Sequence, residues 1–155
     1  MITATIRELP PSPYAWKKLY DEILNANNPK VMMVRLGKKY GLISNEDGHV
    51  IVETIYDHIG ETNNPKVMKV YQWKKRGLIS SEDGHVIVET IYDDIGDTNN
   101  PKVMWVRQGK KWGLVSSEDG HVIAKPIYDD IVDTNNPKVM KATMGDKTLE
   151  ITLSE

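Results

Sequence analysis

The sequence predicts an all-β fold: tandem 36-residue repeats, each an antiparallel three-stranded β-meander, stacked as an array behind a short N-terminal capping helix. The first observation is that the segment Asn-Asn-Pro-Lys-Val-Met begins at residues 27, 63, 99 and 135. The second is that residues 63–98 match 27–62 at 28 of 36 positions and match 99–134 at 27 of 36. The third is an Asp-Gly hairpin signal in each repeat, followed by a β-branched run. Such self-similarity is typical of units that bury their apolar faces by stacking on one another.

Within the repeat 63–98, turn signals separate three strand-like runs. Residues 67–71 alternate after Pro65, residues 77–80 are short and apolar, and residues 85–89 are β-branched. Residues 91–96 carry apolar side chains at i, i+1 and i+4, which predicts a helical turn or a corner. The unit is therefore predicted to be a meander plus a corner.

The repeats divide a single domain into full and partial units. Residues 1–26 form an N-terminal cap and partial repeat, 27–62, 63–98 and 99–134 are full repeats, and 135–155 are a C-terminal partial repeat or cap. The pair Ser12-Pro13 and apolar residues at 16, 19, 20, 23 and 24 predict a helix over 13–25. The alternative is a degenerate repeat strand, because Tyr20 is in register with Tyr56. The split repeat also leaves open whether the array closes into a ring.

Composition excludes several classes of function. The 155 residues include no cysteine, so disulfides, thiol nucleophiles and cysteine zinc sites are absent. A net charge of -2 argues against a general nucleic-acid binder. Neither a long apolar run nor a signal-peptide pattern is found, so we expect a cytoplasmic protein without membrane contact.

The third repeat carries a recognisable motif. It reads Gly109-Lys110-Lys111-Trp112-Gly113-Leu114-Val115, then Asp119-Gly120, then Lys125-Pro126-Ile127-Tyr128-Asp129-Asp130-Ile131. This pattern resembles the WG-repeat family over about residues 27 to 144, with Tyr40 and Arg76 in place of the tryptophan in the other two full repeats. The resemblance implies a β-rich repeat array, mostly bacterial, that serves as a scaffold or binding surface and has no shared catalytic motif.

Groups that could carry chemistry are predicted to be structural. The corner aspartates have no EF-hand spacing and are expected to cap backbone donors. His49, His85 and His121 share one repeat position without the further ligands that a zinc site needs. No nucleophile elbow or phosphate loop occurs, so we expect no enzyme activity, cofactor or metal.

The candidate binding residues are those that differ between nearly identical repeats. One position holds Met, Lys and Trp, and a second, two residues on, holds Arg, Tyr and Arg; by the period of two, both lie on the sheet face opposite Met68 and Val70. We expect this face to be exposed and to bind a partner through Met33, Arg35, Lys69, Tyr71, Trp73, Trp105 and Arg107. The alternative is unconstrained drift after duplication.

These observations predict a non-catalytic protein-binding module, an inhibitor, immunity factor or adaptor of bacterial or phage type. The expected partner is another protein rather than nucleic acid, and the oligomeric state is left open. Two alternatives are single-stranded nucleic-acid binding along a basic and aromatic stripe, and a purely structural or oligomer-forming array.

Overall fold

The computed structural model describes residues 1–6 and 19–154, and within them fifteen strands form four antiparallel sheets. Neighbouring strands in the chain are neighbours in each sheet. Sheet 1 contains β1 (Glu22–Asn25), β2 (Val31–Leu36), β3 (Lys39–Ser44) and β4 (Val50–Tyr56). Sheet 2 contains β5 (His58–Glu61), β6 (Val67–Gln72), β7 (Lys75–Ser80) and β8 (Val86–Tyr92). Sheet 3 contains β9 (Asp94–Asp97), β10 (Val103–Gln108), β11 (Lys111–Ser116) and β12 (Val122–Tyr128). Sheet 4 contains β13 (Asp130–Asp133), β14 (Val139–Met144) and β15 (Lys147–Thr152).

The sheets stack face to face, and the core lies in the layers between them. One face of each sheet packs on the opposite face of the next sheet. The layer between sheets 2 and 3 joins Val67, Leu78, Val88 and Tyr92 to Ile95, Met104, Val106 and Val115. Equivalent residues fill the layers on either side. Val67, Met68, Val70 and Leu78 are all buried.

Sheets 1, 2 and 3 each have four strands, one more than the predicted unit. The residues expected to form a corner, 91–96, instead end β8 and begin β9. Strand β9 pairs with β10, in the next sequence repeat, with Asp94 opposite Arg107 and Gly96 opposite Trp105. A four-residue strand is too short to reveal its period, and its partner lies in another repeat, so local pattern alone favoured a turn.

The predicted N-terminal helix over 13–25 is wrong at its C-terminal end. Residues 22–25 are strand β1, which pairs with β2 and places Ile23 opposite Val34. The degenerate repeat strand is therefore correct there, because β1 occupies the place of β5 one period earlier. Residues 13–18 of the predicted helix lie outside the described residues.

The array does not close into a ring within the described residues, since sheets 1 and 4 share no core layer. The composition of sheet 4 explains this. Sheet 3 packs on sheet 4 through apolar residues, and sheet 4 has polar residues at the equivalent positions. Glu150 and Thr148 stand where Leu114 and Trp112 stand one period earlier, and both are exposed. The outer face of sheet 4 is thus polar, as expected for the last unit of an array.

Two sets of hydrogen bonds link successive sheets with the period of the sequence. The Asn63 side-chain amide donates to the Thr98 carbonyl at 2.9 Å, and the Asn63 backbone N–H donates to Asp97 Oδ1 at 3.1 Å. Asn27 and Asn99 make the same bonds one repeat earlier and later. The recurring Asn-Asn-Pro segment therefore joins neighbouring sheets.

In the part of the chain that the structure describes, no helix has the length and apolar character needed to cross a membrane.

Candidate binding surface

The predicted binding residues occupy equivalent places on the second strands of three consecutive sheets. Strand β6 confirms the predicted alternation, because Lys69 and Tyr71 lie on one face while Met68 and Val70 are buried on the other. Trp73 follows in the hairpin turn between β6 and β7. The structure thus aligns the predicted residues along the array.

The prediction that this face is exposed is wrong for all but one residue. Six of the seven residues are half-buried: Met33, Arg35, Lys69, Tyr71, Trp105 and Arg107. The cause is the stacking, which covers both faces of an internal sheet. Trp73 lies outside the layers and is 82% exposed.

In sheet 2 the predicted Tyr71 lies in a row of side chains that crosses three strands. Tyr71 is paired with His58 on β5 and with Arg76 on β7. The His58 and Tyr71 rings meet edge to face at 5.3 Å, and the Arg76 guanidinium lies 4.7 Å from the centre of the Tyr71 ring. His58 and Arg76 were not among the predicted residues.

The row continues into the neighbouring sheets. On one side, Tyr40 of sheet 1 meets His58 edge to face, with ring centres 5.3 Å apart. On the other side, Arg76 Nε lies 3.6 Å from Asp94 Oδ1 of sheet 3. Residues from three sheets therefore form one connected aromatic and charged row.

The composition of the row is coupled between strands. In sheets 1 and 3 the second strand supplies arginine and the third strand supplies the aromatic residue, as in the register pairs Arg35–Tyr40 and Arg107–Trp112. In sheet 2 the two types are exchanged, with Tyr71 opposite Arg76. The exchange keeps one cation and one aromatic ring in each of these three pairs.

Trp105 lies across the first strand of its own sheet. Its ring covers Gly96, so that a Cβ placed there would be 2.2 Å from Trp105 Cζ2. The ring also contacts Trp112, with centres 4.7 Å apart and planes at 59°. Trp105 is thus packed within the array rather than free on its surface.

The turn that contains Trp73 differs from its equivalents. Trp73 and Lys74 have φ of 56° and 64°. In the other three sheets the first of these positions is Gly37, Gly109 or Gly145, with φ of 62° to 63°. The left-handed region is costly for a bulky L residue and nearly free for glycine.

The recurring junction aspartates join consecutive sheets and are not left as free acids. Asp93 accepts a hydrogen bond from the Lys75 ammonium of sheet 2 and another from the Gly109 backbone N–H of sheet 3, at 2.6 Å. The bond from Lys75, followed by that from Gly109, lowers the pKa of Asp93. Asp57 and Asp129 make equivalent bonds, and their pKa values are lowered in the same way. The aspartates thus accept backbone N–H groups, as predicted, but the donors lie 16 residues away in the next sheet rather than in a local corner.

The histidine of each repeat is paired with the aspartate of its own turn. His85 Nδ1 lies 2.5 Å from Asp83 Oδ1, which also accepts the His85 backbone N–H at 3.0 Å. These two bonds lower the pKa of Asp83. The other two repeats have the same arrangement. Among the described residues, no group of three or more His, Asp or Glu side chains is placed to hold a metal ion.

Residues 77–112 and 112–138 each match the family model described as the WG containing repeat. This match confirms the resemblance to the WG-repeat family that the sequence motif predicted. Residues 27–62 share the same period, strand order and inter-sheet hydrogen bonds. A comparison with curated proteins found no matching relative.

Solved structures align with most of this chain. A crystal structure of the eukaryotic initiation factor aligns with 86% of this chain and 41% of its own, at 7% identity and a TM-score of 0.52. A putative 6-phosphogluconolactonase from Bacteroides uniformis aligns with 86% and 50%, at 16% identity and a TM-score of 0.40. The β-propeller domain of Cps50 (Swd1) from Myceliophteria thermophila aligns with 99% and 58%, at 10% identity and a TM-score of 0.40. The chain therefore spans between two fifths and three fifths of the length of these proteins, and the first likeness concerns the fold alone.

Proposed function

We propose that the chain is a non-catalytic protein-binding module whose contact surface is centred on Trp73. The observation that carries this proposal is a tryptophan that is 82% exposed, with φ of 56°, where the other three sheets have glycine. Exposed tryptophan is among the residue types enriched at the centre of protein interfaces.

Trp73 is difficult to explain by folding. A left-handed conformation costs an L residue roughly 1–2 kcal/mol. An indole that stays in water also contributes no hydrophobic stabilisation to the folded state. Gly109 makes the equivalent turn in the next sheet without either disadvantage. Trp73 therefore lowers the stability of the folded chain, and the other sheets make this turn with glycine. A contact with a partner molecule best explains why tryptophan is present.

The surroundings of Trp73 suit a protein partner. Tyr71 and Arg76, which lie next to the turn, are interface-forming residue types held in place by their own contact. Lys38, Lys74 and Lys110 are exposed at successive turns. A basic border around an aromatic centre favours a partner with an acidic rim, since complementary charges steer association.

Non-catalytic binding agrees with the roles of the acidic groups. The carboxyl groups whose pKa values are lowered already bond to a lysine and a backbone N–H, or to a histidine and its backbone N–H. Each has a structural partner that accounts for the shift. An inhibitor, an immunity factor or an adaptor would each use such a surface.

The test replaces Trp73 by the glycine that the other repeats contain. Tagged wild-type and Trp73→Gly proteins are used to capture partners from the native cell, and bound proteins are quantified by mass spectrometry. We expect Trp73→Gly to fold with an unchanged or higher melting temperature and to bind the wild-type partner at least about 30-fold more weakly, as for a hot spot of about 2 kcal/mol. Lys110→Ala, in the turn of sheet 3, is the matched surface control. Unchanged affinity of Trp73→Gly for the captured partner would contradict the proposal.

Single-stranded nucleic acid is the rival ligand, because an exposed indole between lysines can also stack on bases. Titration of a single-stranded oligonucleotide at two salt concentrations separates the two ligands. Phosphate contacts give an affinity that falls steeply with salt, whereas we expect no such binding.

A further inference from the structure

The hairpin turns that join the second and third strands of the four sheets lie side by side along the array. An aspartate at each sheet junction bridges one turn to the next. Asp93 accepts the Lys75 ammonium beside the turn of sheet 2 and the Gly109 backbone N–H in the turn of sheet 3. Asp57 and Asp129 make the equivalent bridges at the other two junctions. Because stacked sheets lie about 10 Å apart, the turns form a row with about that spacing.

Each turn of sheets 1, 2 and 3 carries two consecutive lysines that differ in their contacts. The second lysine, at 39, 75 or 111, pairs with the bridging aspartate. The first lysine is exposed, and within the described residues no hydrogen bond or ion pair involves its ammonium. These first lysines are Lys38, Lys74 and Lys110. The fold therefore uses one cation of each turn and leaves the other in solvent.

The neighbouring acids do not neutralise these exposed lysines. Both carboxylate oxygens of each bridging aspartate already accept a hydrogen bond. Glu22 pairs with Arg35 at 3.1 Å, and Asp94 lies 3.6 Å from Arg76. In sheet 4 the position of the first lysine is held by the exposed Asp146, so the sign of the charge reverses at that end of the row.

We propose that the partner lays an extended acidic segment along this row, with carboxylates about 10 Å apart that face Lys38, Lys74 and Lys110. This inference rests on the proposed protein-binding surface around Trp73 and specifies its partner. A segment in the polyproline II conformation has about three residues per turn and a rise of about 3.1 Å, so every third side chain lies on one face about 9 Å from the last. Such segments dock on aromatic residues, and Trp73 directly precedes the central lysine.

Asp146 favours a peptide over a single-stranded nucleic acid as the occupant. A nucleic acid carries a phosphate at every nucleotide, and Asp146 repels a phosphate placed over sheet 4. A peptide can end its acidic residues before sheet 4 or place a lysine there. The row thus also sets a direction, with the acidic residues of the segment over sheets 1 to 3.

The test uses two peptides of the same composition and charge. Acetyl-Glu-Pro-Pro-Glu-Pro-Pro-Glu-amide spaces its carboxylates at every third residue, whereas acetyl-Glu-Glu-Glu-Pro-Pro-Pro-Pro-amide clusters them. Each is titrated at low salt into the ¹⁵N-labelled protein, and the backbone N–H signals of Lys38, Lys74 and Lys110 are followed. We expect the spaced peptide to bind at least about threefold more tightly, because it can contact the three lysines at once and the clustered peptide cannot.

Single substitutions locate the row. Lys38→Ala and Lys110→Ala should each weaken the spaced peptide by about two- to fivefold, the contribution of one exposed ion pair, and Lys125→Ala, on β12, should leave its binding unchanged. This loss is small beside the roughly 30-fold loss of partner binding expected for Trp73→Gly. Asp146→Lys extends the row, so the spaced peptide lengthened by Pro-Pro-Glu should bind this variant at least about threefold more tightly than it binds the wild type.

The outcomes separate this proposal from the proposal on Trp73. Trp73→Gly retains the three lysines, so it should still prefer the spaced peptide to the clustered one even when it no longer captures the partner. Three results would each overturn the acidic segment while leaving the Trp73 surface to its own test. They are equal binding of the two peptides by the wild type, unchanged binding by both Lys38→Ala and Lys110→Ala, and tighter binding of a thymidine tetranucleotide, which matches the charge of the spaced peptide, than of the spaced peptide itself.

Discussion

Gly96→Ala tests whether Trp105 is packed within the array. A Cβ at residue 96 would lie 2.2 Å from Trp105 Cζ2 and 2.4 Å from Cε2. Carbon atoms pack at about 3.5 Å, so the ring would have to withdraw by more than about 1 Å. Trp112 and the layer between sheets 3 and 4 oppose that movement.

The expected change in the free energy of unfolding of Gly96→Ala follows from two opposing effects. Forcing an extra carbon into a packed site costs about 1–3 kcal/mol. Replacing glycine by alanine in a strand returns about 0.5–1 kcal/mol. We therefore expect Gly96→Ala to lower the free energy of unfolding by about 1–2 kcal/mol, which lowers the melting temperature of a chain of this size by about 2–8 °C.

The assay is thermal unfolding of single and double variants. Gly60→Ala is the matched control, because nothing lies within 4 Å of a Cβ at that equivalent position, and it should leave stability unchanged or raise it. Trp105→Lys should relieve the clash, so that Gly96→Ala then behaves like Gly60→Ala. Equal effects of the two glycine substitutions in the wild-type background would refute the packing of Trp105 and favour an exposed face.

Two further predictions concern acid and metal. Hydrogen bonding lowers the pKa of Asp57, Asp93 and Asp129 in the folded state. The stability that these carboxylates contribute is therefore fully present above their pKa in the unfolded chain, and it is lost as the pH falls through their pKa in the folded protein. The melting temperature should therefore decrease when the pH is lowered below about 4, and it should decrease less steeply in Asp93→Asn. The same dependence of melting temperature on pH in Asp93→Asn and wild type would contradict the role of Asp93 between sheets 2 and 3. A chelator should leave the melting temperature at neutral pH unchanged, since a metal bound only by the native state would stabilise it by mass action; a drop of several degrees would point to a metal at the turn histidines or the junction aspartates.

The sequence predicted the period, the strand type and the buried residues, because these depend on patterns within one repeat. Val67 and Leu78 recur with the repeat and are buried in it. The short strand β9 was missed because its hydrogen-bond partners lie beyond the repeat boundary. Strand β1 was mistaken for part of a helix because its four residues follow a stretch with helical spacing of apolar residues.

The candidate site was predicted in position but not in environment. Alternation along β6 correctly placed Lys69 and Tyr71 on one face. It could not show that a neighbouring sheet covers that face, because an internal sheet of a stack has no solvent side. The sequence analysis did not select His58 and Arg76, because each was considered alone. The signal in the sequence was that His58, Tyr71, Trp73 and Arg76 all differ from the equivalent residues of the other repeats.

Near-identical repeats allow two kinds of substitution to be separated. Where a change on one strand is matched by a change on the paired strand, as for Tyr71 and Arg76, the pair preserves a contact within the fold. Trp73 has no such match, because its turn is made at lower cost by glycine in every other sheet and its side chain lies in solvent. Folding therefore accounts for the exchange of Tyr71 and Arg76 but leaves Trp73 unexplained, which is why we propose Trp73 as the centre of the binding surface.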